Sequence, residues 1–239
     1  MDIENSVIVI TGASSGIGAA TARAAAQAGA RVVLAARREE RIKELAGELS
    51  GSIAVRCDVT KQEQIDALVQ TALHEFGRID VLINNAGQGL QSTTEQIDLE
   101  DFRSVLELNL VAPLAMMQAV IPAMRQQHLG AIINISSGTT FADVPGTGGY
   151  VATKIALERL SAIARNELDG TGITVSTMIP FATSTEFLVS IRAGRAEAEA
   201  MTAGAQFDTP EQVADAILQL IKSGEPTMDL VPAAYGGSR

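Results

Sequence analysis

Residues 6–18 read SVIVITGASSGIG, and this stretch decides the fold. It opens with an apolar, β-branched run that is typical of a buried strand, and glycines follow at Gly12, Gly16 and Gly18. The alanine-rich composition of residues 16–28 predicts a helix directly after the turn. A glycine-rich turn between a strand and a helix lets the backbone approach a pyrophosphate, and the first N–H groups of the helix bind it. The stretch therefore predicts a site for a phosphate-bearing ligand.

Strand and helix patterns continue to alternate along the rest of the chain. Further strands are predicted at residues 31–36, 53–56, 81–84, 131–136, 173–179 and 227–231. Further helices are predicted at residues 38–49, after Thr60, at 101–127 with an interruption or a bend near Pro113 and Pro122, at 149–168, and from 209 to about 222. Thr60 and Thr209 each precede a Glu or Gln by three residues, which predicts a capping box at the start of two helices.

This order of elements defines the expected fold class. Strands that are separated by single helices pair in parallel through right-handed crossovers. The sequence thus predicts an α/β protein with one domain over residues 1–239, a doubly wound parallel sheet of the Rossmann type with helices on both faces.

The composition limits what the chain binds. Hydrophobic residues make up 46% of the 239 residues, which is enough for a large core. The formal net charge of −10 argues against electrostatic binding of nucleic acid or of an anionic membrane. No run approaches the roughly 18 apolar residues of a membrane span, and His74 and His128 lack the spacing of metal ligands. We therefore expect no nucleic acid, no membrane and no metal among the partners.

Cysteine usage and the first residues bear on the cellular location. Cys57 is the one cysteine of the sequence, so no intrachain disulfide is expected. Residues 1–5 read MDIEN and lack the basic start and apolar stretch of a signal peptide. Both observations predict a cytoplasmic protein.

The end of the second strand indicates which dinucleotide the turn binds. Folds of this type that bind NAD usually place an Asp or Glu there to hold the ribose hydroxyls. Residues 35–38 read AARR instead, with no carboxylate before Glu39. A guanidinium from Arg37 or Arg38 binds a 2′-phosphate through charge-assisted hydrogen bonds, whereas a carboxylate repels it. These residues predict NADP(H) as the cofactor; the alternative is that both arginines simply begin a solvated helix.

Several motifs accompany the glycine-rich turn at fixed places along the chain. They are Asp58 and Val59 after the third strand, Asn84 to Gly87 after the fourth, Asn109 in a helix, Ser137 after the fifth strand, and Tyr150 with Lys154 in the next helix. Over residues 7–185 this order and spacing resemble the short-chain dehydrogenase/reductase family. The resemblance implies an oxidoreductase that moves a hydride between a nicotinamide cofactor and a carbonyl or alcohol. Together with the motifs above it implies cofactor binding by Gly12, Ser14, Ser15, Gly16, Ile17, Gly18, Arg37, Arg38, Asp58, Val59, Asn85, Ala86, Gly87, Tyr150, Lys154, Pro180, Thr183 and Thr185.

Tyr150 and Lys154 lie four residues apart, which places them on one face of a helix. A phenol has a pKa of about 10, and a neighbouring ammonium favours its ionised form. We therefore expect Lys154 to lower the pKa of Tyr150. The resemblance implies that Tyr150 is the catalytic acid and base, that Lys154 also holds the nicotinamide ribose, and that Asn109 supports a water chain that returns the proton. The alternative for Asn109 is a polar side chain that bonds a helix bend, and both roles are compatible.

Two neighbouring serines compete for the substrate oxygen. Adjacent side chains of a strand point to opposite faces, so Ser136 and Ser137 do not both face the site. The family's serine stands thirteen residues before its tyrosine, which is the spacing of Ser137 from Tyr150. The resemblance favours Ser137, with Ser136 as the alternative.

The sequence departs from the family pattern after the sixth strand. Residues 180–185 read PFATST, so Phe181 replaces the usual glycine and Thr183 an apolar residue, while Pro180 and Thr185 keep their places. A bulky side chain beside the nicotinamide narrows or reorients the pocket, so the sequence does not predict the substrate. Residues 183–204 have a weak apolar stripe and many small residues, which predicts a lid over the substrate.

Assembly and activity follow from the resemblance. In the family, the helix around residues 106–124 and the helix that carries Tyr150 pack across a two-fold axis, so a homodimer or homotetramer is expected. The leading hypothesis is a reductase of ketones, aldehydes or 3-oxoacyl groups, and the alternative is an alcohol or polyol dehydrogenase that works oxidatively. A non-catalytic NADP(H)-binding sensor on the same fold is disfavoured, because such proteins tend to lose the tyrosine or the lysine.

Overall fold

The computed structural model describes residues 1–201 and 207–239. Seven parallel strands form one sheet in the order β3-β2-β1-β4-β5-β6-β7. The strands are β1 (Val7–Thr11), β2 (Arg31–Ala36), β3 (Ile53–Arg56), β4 (Val81–Asn84), β5 (Gly130–Ile135), β6 (Ile173–Ile179) and β7 (Thr227–Asp229). The helices are α1 (Gly16–Gln27), α2 (Glu39–Glu48), α3 (Gln62–Phe76), α4 (Leu99–Leu106), α5 (Ala112–Gln127), α6 (Gly148–Glu167), α7 (Arg195–Met201) and α8 (Pro210–Ser223). The predicted doubly wound α/β fold is confirmed.

Helices cover both faces of the sheet because its strands are apolar on both sides. Ile8 and Ile10 of β1 pack under α1, α2 and α8, whereas Val7 and Val9 of the same strand pack under α3 and α5. This alternation divides the core into two aliphatic layers, one on each face.

The strand order fixes the place of the site. The strand β1 pairs with β2 on one side and with β4 on the other. Strands β2 and β3 are therefore added on one side of β1, and the strands from β4 onward are added on the other side. Crevices at such a switch point, beyond the carboxyl ends of the strands, are where ligands bind in open α/β sheets. The glycine-rich turn after β1 and the loop after β4 meet at this point.

The long helical region between β4 and β5 agrees in part with the sequence prediction. A π-helical segment, Glu107–Val111, interrupts it just before Pro113, whereas α5 continues through Pro122 without ending there. Residues Leu99–Gln127 are long and apolar enough to cross a membrane by length and composition alone. Met116, Val120 and Met124 of this region are buried in the core beneath the sheet, and the expectation of no membrane partner stays a prediction.

The two expected capping boxes have different outcomes. Thr209 caps α8 as predicted, with Gln212 completing the box. The box at Thr60 is wrong: Lys61 is the N-cap residue of α3, and the Thr60 hydroxyl donates to Oδ1 of Asp58 at 2.8 Å. The Thr60 hydroxyl is thus turned toward Asp58, and the helix has no side-chain cap hydrogen bond.

The predicted lid is described from residue 183 to residue 201. It contains a β-bridge between Thr183 and Asp208, a 3-10 turn at Leu188–Ser190 and the helix α7. Residues 202–204 of the predicted lid lie outside the described residues. Closure on ligand binding stays a prediction.

Candidate active site

A cavity of about 660 Å³ opens at the carboxyl ends of β1, β2, β4, β5 and β6. Its wall contains Ser137 and every predicted cofactor-binding residue except Gly18, which lies beneath the glycine-rich turn. Asn109 is fully buried behind the wall. The structure thus brings the two halves of the sequence prediction, the dinucleotide motifs and the catalytic residues, into one space.

Hydrogen bonds from Asn85 connect the glycine-rich turn to the loop after β4. Its Nδ2 donates to the carbonyl oxygens of Thr11 at 2.9 Å and Gly12 at 3.3 Å. Gly12 has a φ of +66°, and a Cβ there would lie 2.9 Å from Cα of Ala86. A Cβ on Gly18 would lie 2.5 Å from the carbonyl oxygen of Gly12. Only glycine fits these positions, so the backbone itself forms the floor of the cavity.

The start of α1 suits a pyrophosphate. Ser15 is the N-cap residue, and its side chain makes no cap hydrogen bond, so it leaves the first N–H groups of the helix for a ligand. The turn and the helix start therefore fit the phosphates of a dinucleotide.

Arg38 lies at the far end of this turn and is bound on all three guanidinium nitrogens. Nε donates to Oγ of Ser14 at 3.0 Å, and one terminal nitrogen donates to Oγ of Ser15 at 2.6 Å. The other terminal nitrogen donates to Glu186 at 2.7 Å, and Arg41 binds the same carboxylate. Arg37 also lines the cavity and is exposed to solvent. Sequence reasoning missed Arg41 and Glu186, because only the fold brings them together.

Asp58 and Val59 line the cavity beside Arg37, where the resemblance places the adenine. Burial raises the pKa of Asp58, but hydrogen bonds from Thr60 and the charges of Arg37 and Lys61 outweigh it and lower the pKa below its ordinary value. The carboxylate is therefore ionised at neutral pH. Its bonds to Thr60 fix the loop that follows β3.

Tyr150 lies in the first turns of α6 and is almost fully buried. Burial raises the pKa of its phenol to about 12, and a side-chain hydrogen bond with Ser137 acts in the opposite direction. Ser136 instead donates to Oε1 of Glu158 at 2.5 Å. Of the two candidate serines, Ser137 is thus the one that contacts the tyrosine.

Lys154 is buried one turn further along α6. Its Nζ donates to the carbonyl oxygen of Ile135 at 2.8 Å and lies 5.9 Å from the centroid of the Tyr150 ring. Burial lowers its pKa to about 8, and the charge of Glu158 opposes that change. Burial dominates the pKa of Tyr150, which is raised overall, and the expected lowering by Lys154 stays a prediction.

Asn109 joins the loop after β4 to α6 from within the π-helical segment. Oδ1 accepts from the Gln88 N–H at 2.9 Å, while Nδ2 donates to the Gln88 carbonyl at 2.9 Å and to Oγ1 of Thr153 at 3.2 Å. A Cβ on Gly87 would lie 3.3 Å from Oδ1 of Asn109 and 3.5 Å from Nζ of Lys154. Asn109 therefore positions the loop after β4 and the helix α6 around Lys154, and its role in a water chain stays a prediction.

The residues that depart from the family pattern form the opposite wall. The Phe181 ring packs on Tyr235, with centroids 5.3 Å apart, and a Cβ on Gly138 would lie 3.0 Å from it. Thr183 donates to the carbonyl of Phe181 at 3.0 Å. The Thr185 methyl lies 3.0 Å from the position of a Cβ on Gly16. Phe181 thus fills space at the wall, and Thr185 closes over the glycine-rich turn.

The surroundings of Tyr150 on its other side are apolar. The Phe187 ring lies 5.8 Å from the Tyr150 ring at an interplanar angle of 55°. The neighbouring apolar side chains are Leu90, Ile97, Phe102, Val105, Phe187 and Ala193. In the described part of the chain, no three His, Cys, Asp or Glu side chains come close enough together to hold a metal ion.

Comparisons with known proteins agree with this geometry. A family model described as short chain dehydrogenase matches residues 6–196. An uncharacterized oxidoreductase of Staphylococcus saprophyticus is 38% identical over 189 residues, which cover 77% of each protein. The chain belongs to the short-chain dehydrogenase/reductase family of oxidoreductases.

Solved structures resemble this one closely. A short chain dehydrogenase/reductase from Burkholderia phymatum in complex with NAD has a TM-score of 0.91 at 25% identity, over 98% of this chain and 91% of that chain. The closed form of a serine dehydrogenase complexed with NADP+ has a TM-score of 0.88 at 28% identity, over 98% of both chains. Similar folds thus bind either nicotinamide dinucleotide.

Proposed function

We propose that this protein is an NADP(H)-dependent oxidoreductase that transfers a hydride between the nicotinamide and a carbonyl or alcohol substrate. The observation that supports it is the meeting of Ser137, Tyr150 and Lys154 with the glycine-rich turn in one cavity. When bound, the nicotinamide supplies or accepts the hydride at the substrate carbon. The chain's own side chains handle the substrate oxygen and its proton.

In carbonyl reduction, the Tyr150 hydroxyl donates its proton to the substrate oxygen as the hydride reaches the carbon. A phenol pKa of about 12 keeps this group protonated at neutral pH, which suits an acid. Ser137, which is already hydrogen-bonded to Tyr150, also donates to the oxygen as negative charge develops on it. The ammonium of Lys154 stabilises the phenolate that remains. Alcohol oxidation needs that phenolate beforehand, so these contacts favour reduction over the alternative.

The preference for NADP(H) rests on residues of this chain, because related structures contain either dinucleotide. Ala36 offers no carboxylate to the ribose, while Arg37 and Arg38 line the same cavity and offer guanidinium donors to a 2′-phosphate. Ser14 adds a hydroxyl beside Arg38. This donor set suits a phosphate dianion better than two ribose hydroxyls.

The apolar surroundings of Tyr150 support a ketone or aldehyde with apolar substituents. A polyol would place several hydroxyls against Leu90 and Phe187, where they would lose their hydrogen bonds to water.

The contact of Phe187 with the tyrosine ring also supports the proposed lid at residues 183–204, because Phe187 belongs to that segment.

The assembly we propose is a homodimer or larger homo-oligomer in the cytoplasm. Val111 and Leu114 leave apolar surface exposed at the end of the π-helical segment and on α5, and Ile155 and Ile163 do so on α6. The same two helical regions form the two-fold contact that the family resemblance implies. Exposed apolar patches of this kind are typical of protein interfaces.

The experiment that tests the proposed activity is NADPH consumption across a panel of ketones, aldehydes and 3-oxoacyl thioesters. Steady turnover with any of them supports the enzyme, and the best substrate defines the class. Tight NADPH binding without turnover on either the carbonyl panel or matching alcohols would favour the non-catalytic sensor instead.

A further inference from the structure

A single carboxylate, that of Glu186, stands between Arg38, which lines the cavity, and Arg41, which lines an adjoining depression. Glu186 accepts from Arg38 at 2.7 Å, and both of its oxygens accept from Arg41, at 2.8 and 2.9 Å. Arg38 holds its guanidinium toward Glu186 through its bonds to Ser14 and Ser15. The basic groups nearest the glycine-rich turn are therefore arranged around an anion supplied by the chain itself.

Glu186 is charged in this arrangement. Hydrogen bonds from Arg38 and then Arg41 lower the pKa of its carboxyl below the ordinary value. The side chain is about half exposed, so these bonds exchange readily with those of a ligand. An ionised carboxylate and a phosphate dianion require the same N–H donors and repel each other.

The position of Glu186 in the chain ties this contact to the rest of the site. Thr185, just before it, packs over Gly16 of the glycine-rich turn. Phe187, just after it, packs against the ring of Tyr150. Thr185, Glu186 and Phe187 thus contact three parts of the site. These are the glycine-rich turn, the arginines Arg38 and Arg41, and the ring of Tyr150, in that order.

We propose that Glu186 is a specificity-determining residue that competes with the 2′-phosphate of the cofactor for Arg38 and Arg41. This inference rests on the proposed function in that it assumes an adenosine ribose at this end of the cavity. The consequence is a smaller difference in affinity between NADP(H) and NAD(H). The hydrogen bonds between the arginines and Glu186 must break before a 2′-phosphate binds, whereas a free ribose hydroxyl does not require this.

The test is the substitution Glu186→Gln, which keeps the shape of the side chain and removes its charge. Two probes that differ only in the 2′-phosphate, adenosine 2′,5′-bisphosphate and adenosine 5′-monophosphate, are titrated by calorimetry. We expect the variant to bind the bisphosphate about three- to tenfold tighter, because the repulsion from a half-exposed charge is modest. Its affinity for the monophosphate should be unchanged. At 0.5 M salt the gain should shrink, because screening weakens the competing ion pair.

Glu48→Gln is the matched control. Glu48 pairs with Arg23 on the neighbouring surface, at 3.0 Å, and removing its charge changes the net charge of the protein equally. Equal tightening in both variants would overturn the proposal, because the effect would then be general. Unchanged or weaker bisphosphate binding by Glu186→Gln would also overturn it, since Glu186 would then be inert or would hold Arg38 in place for the phosphate.

The remaining outcome concerns the ribose. Weaker monophosphate binding by Glu186→Gln would show that the carboxylate binds ribose hydroxyls, which contradicts competition. These results are separate from the proposed function, which fails if the unaltered protein binds NADH as tightly as NADPH or turns over no carbonyl. Competition at Glu186 is judged from the two probes alone and does not depend on turnover.

Discussion

Ser136 donates a hydrogen bond to Glu158 at 2.5 Å, while the next residue, Ser137, is hydrogen-bonded to Tyr150. The two adjacent hydroxyls therefore have different partners. Ser136 connects the end of β5 to α6, and Ser137 contacts Tyr150 at the wall of the cavity. The alternation of side chains along the strand produces this division.

The first prediction compares these two serines. We expect Ser137→Ala to lower kcat by about 10²–10³-fold, because it removes a donor to the developing oxyanion. Ser136→Ala should keep most of the turnover and lose about 1 kcal/mol of unfolding free energy with the hydrogen bond to Glu158. Steady-state kinetics and urea unfolding of both variants check this. The reverse pattern would make Ser136 the catalytic serine.

The second prediction concerns the choice of cofactor. We expect the unaltered protein to prefer NADPH over NADH, and Ala36→Asp combined with Arg37→Gln to reduce that preference by about tenfold or more, since a carboxylate repels the 2′-phosphate. Dissociation constants from fluorescence titration measure the change. Arg56→Gln, an exposed arginine on β3, serves as a charge control. An unaltered protein that binds NADH equally well contradicts the prediction.

Local motifs predicted most of the fold and most of the site. The strand–turn–helix at residues 6–18, the Asn-Asn-Ala-Gly motif and the Tyr150–Lys154 pair each depend on neighbours within a few residues. Contacts between distant segments were not predictable in this way. Glu186 lies 148 residues from Arg38, so nothing near either residue indicates their pairing. The contact between Asn109 and Gln88 was not predictable for the same reason, because Gln88 lies in the loop after β4, 21 residues away.

The raised pKa of Tyr150 could not be predicted from the sequence, because it depends on burial. The spacing along a helix predicts that the ammonium lies near the phenol. It does not predict how deeply the two side chains are buried away from water. Desolvation raises the pKa of Tyr150 and lowers that of Lys154 together, which only the packed structure reveals.

The third prediction concerns assembly. Ile155 is 49% exposed on α6, on the surface that the proposed two-fold contact would cover. We expect sedimentation equilibrium at micromolar concentration to show at least a dimer, and Ile155→Glu to shift it toward monomer because a buried charge would oppose the interface. Val189→Glu, an exposed apolar residue elsewhere, should leave the assembly unchanged. A monomeric unaltered protein contradicts the proposal.

The fourth prediction concerns the proton. Tyr150→Phe keeps the ring and its packing, so NADPH binding should change little while carbonyl reduction falls by about 10²–10⁴-fold. Because burial raises the phenol pKa to about 12, reduction by the unaltered enzyme should not lose its acid on the way from pH 7 to pH 9, whereas alcohol oxidation should rise with pH throughout that range. Pre-steady-state measurements of the hydride step at each pH test both statements. A variant that retains most of its turnover would exclude Tyr150 as the acid.

The last prediction separates function from stability at Lys154. A pKa lowered from 10.5 to about 8 means that burial of the charged ammonium costs roughly 3 kcal/mol. Lys154→Met removes that cost and also the hydrogen bond to Ile135, so we expect the free energy of unfolding at pH 7 to rise by about 1–2 kcal/mol. Turnover should fall at least as far as in Tyr150→Phe, and NADPH affinity should fall as well.

The pH dependence of this gain has a definite sign. Below pH 8 the ammonium is charged in both the folded and the unfolded chain, so the penalty on the unaltered protein is fully present. Between pH 8 and 10.5 the folded protein binds fewer protons than the unfolded chain, so its stability rises with pH and the advantage of Lys154→Met shrinks. Urea unfolding of both proteins at pH 7, 8.5 and 10 measures the difference. An advantage that grows with pH would show that the lysine is not strained by burial, and that its charge contributes to folding as well as to catalysis.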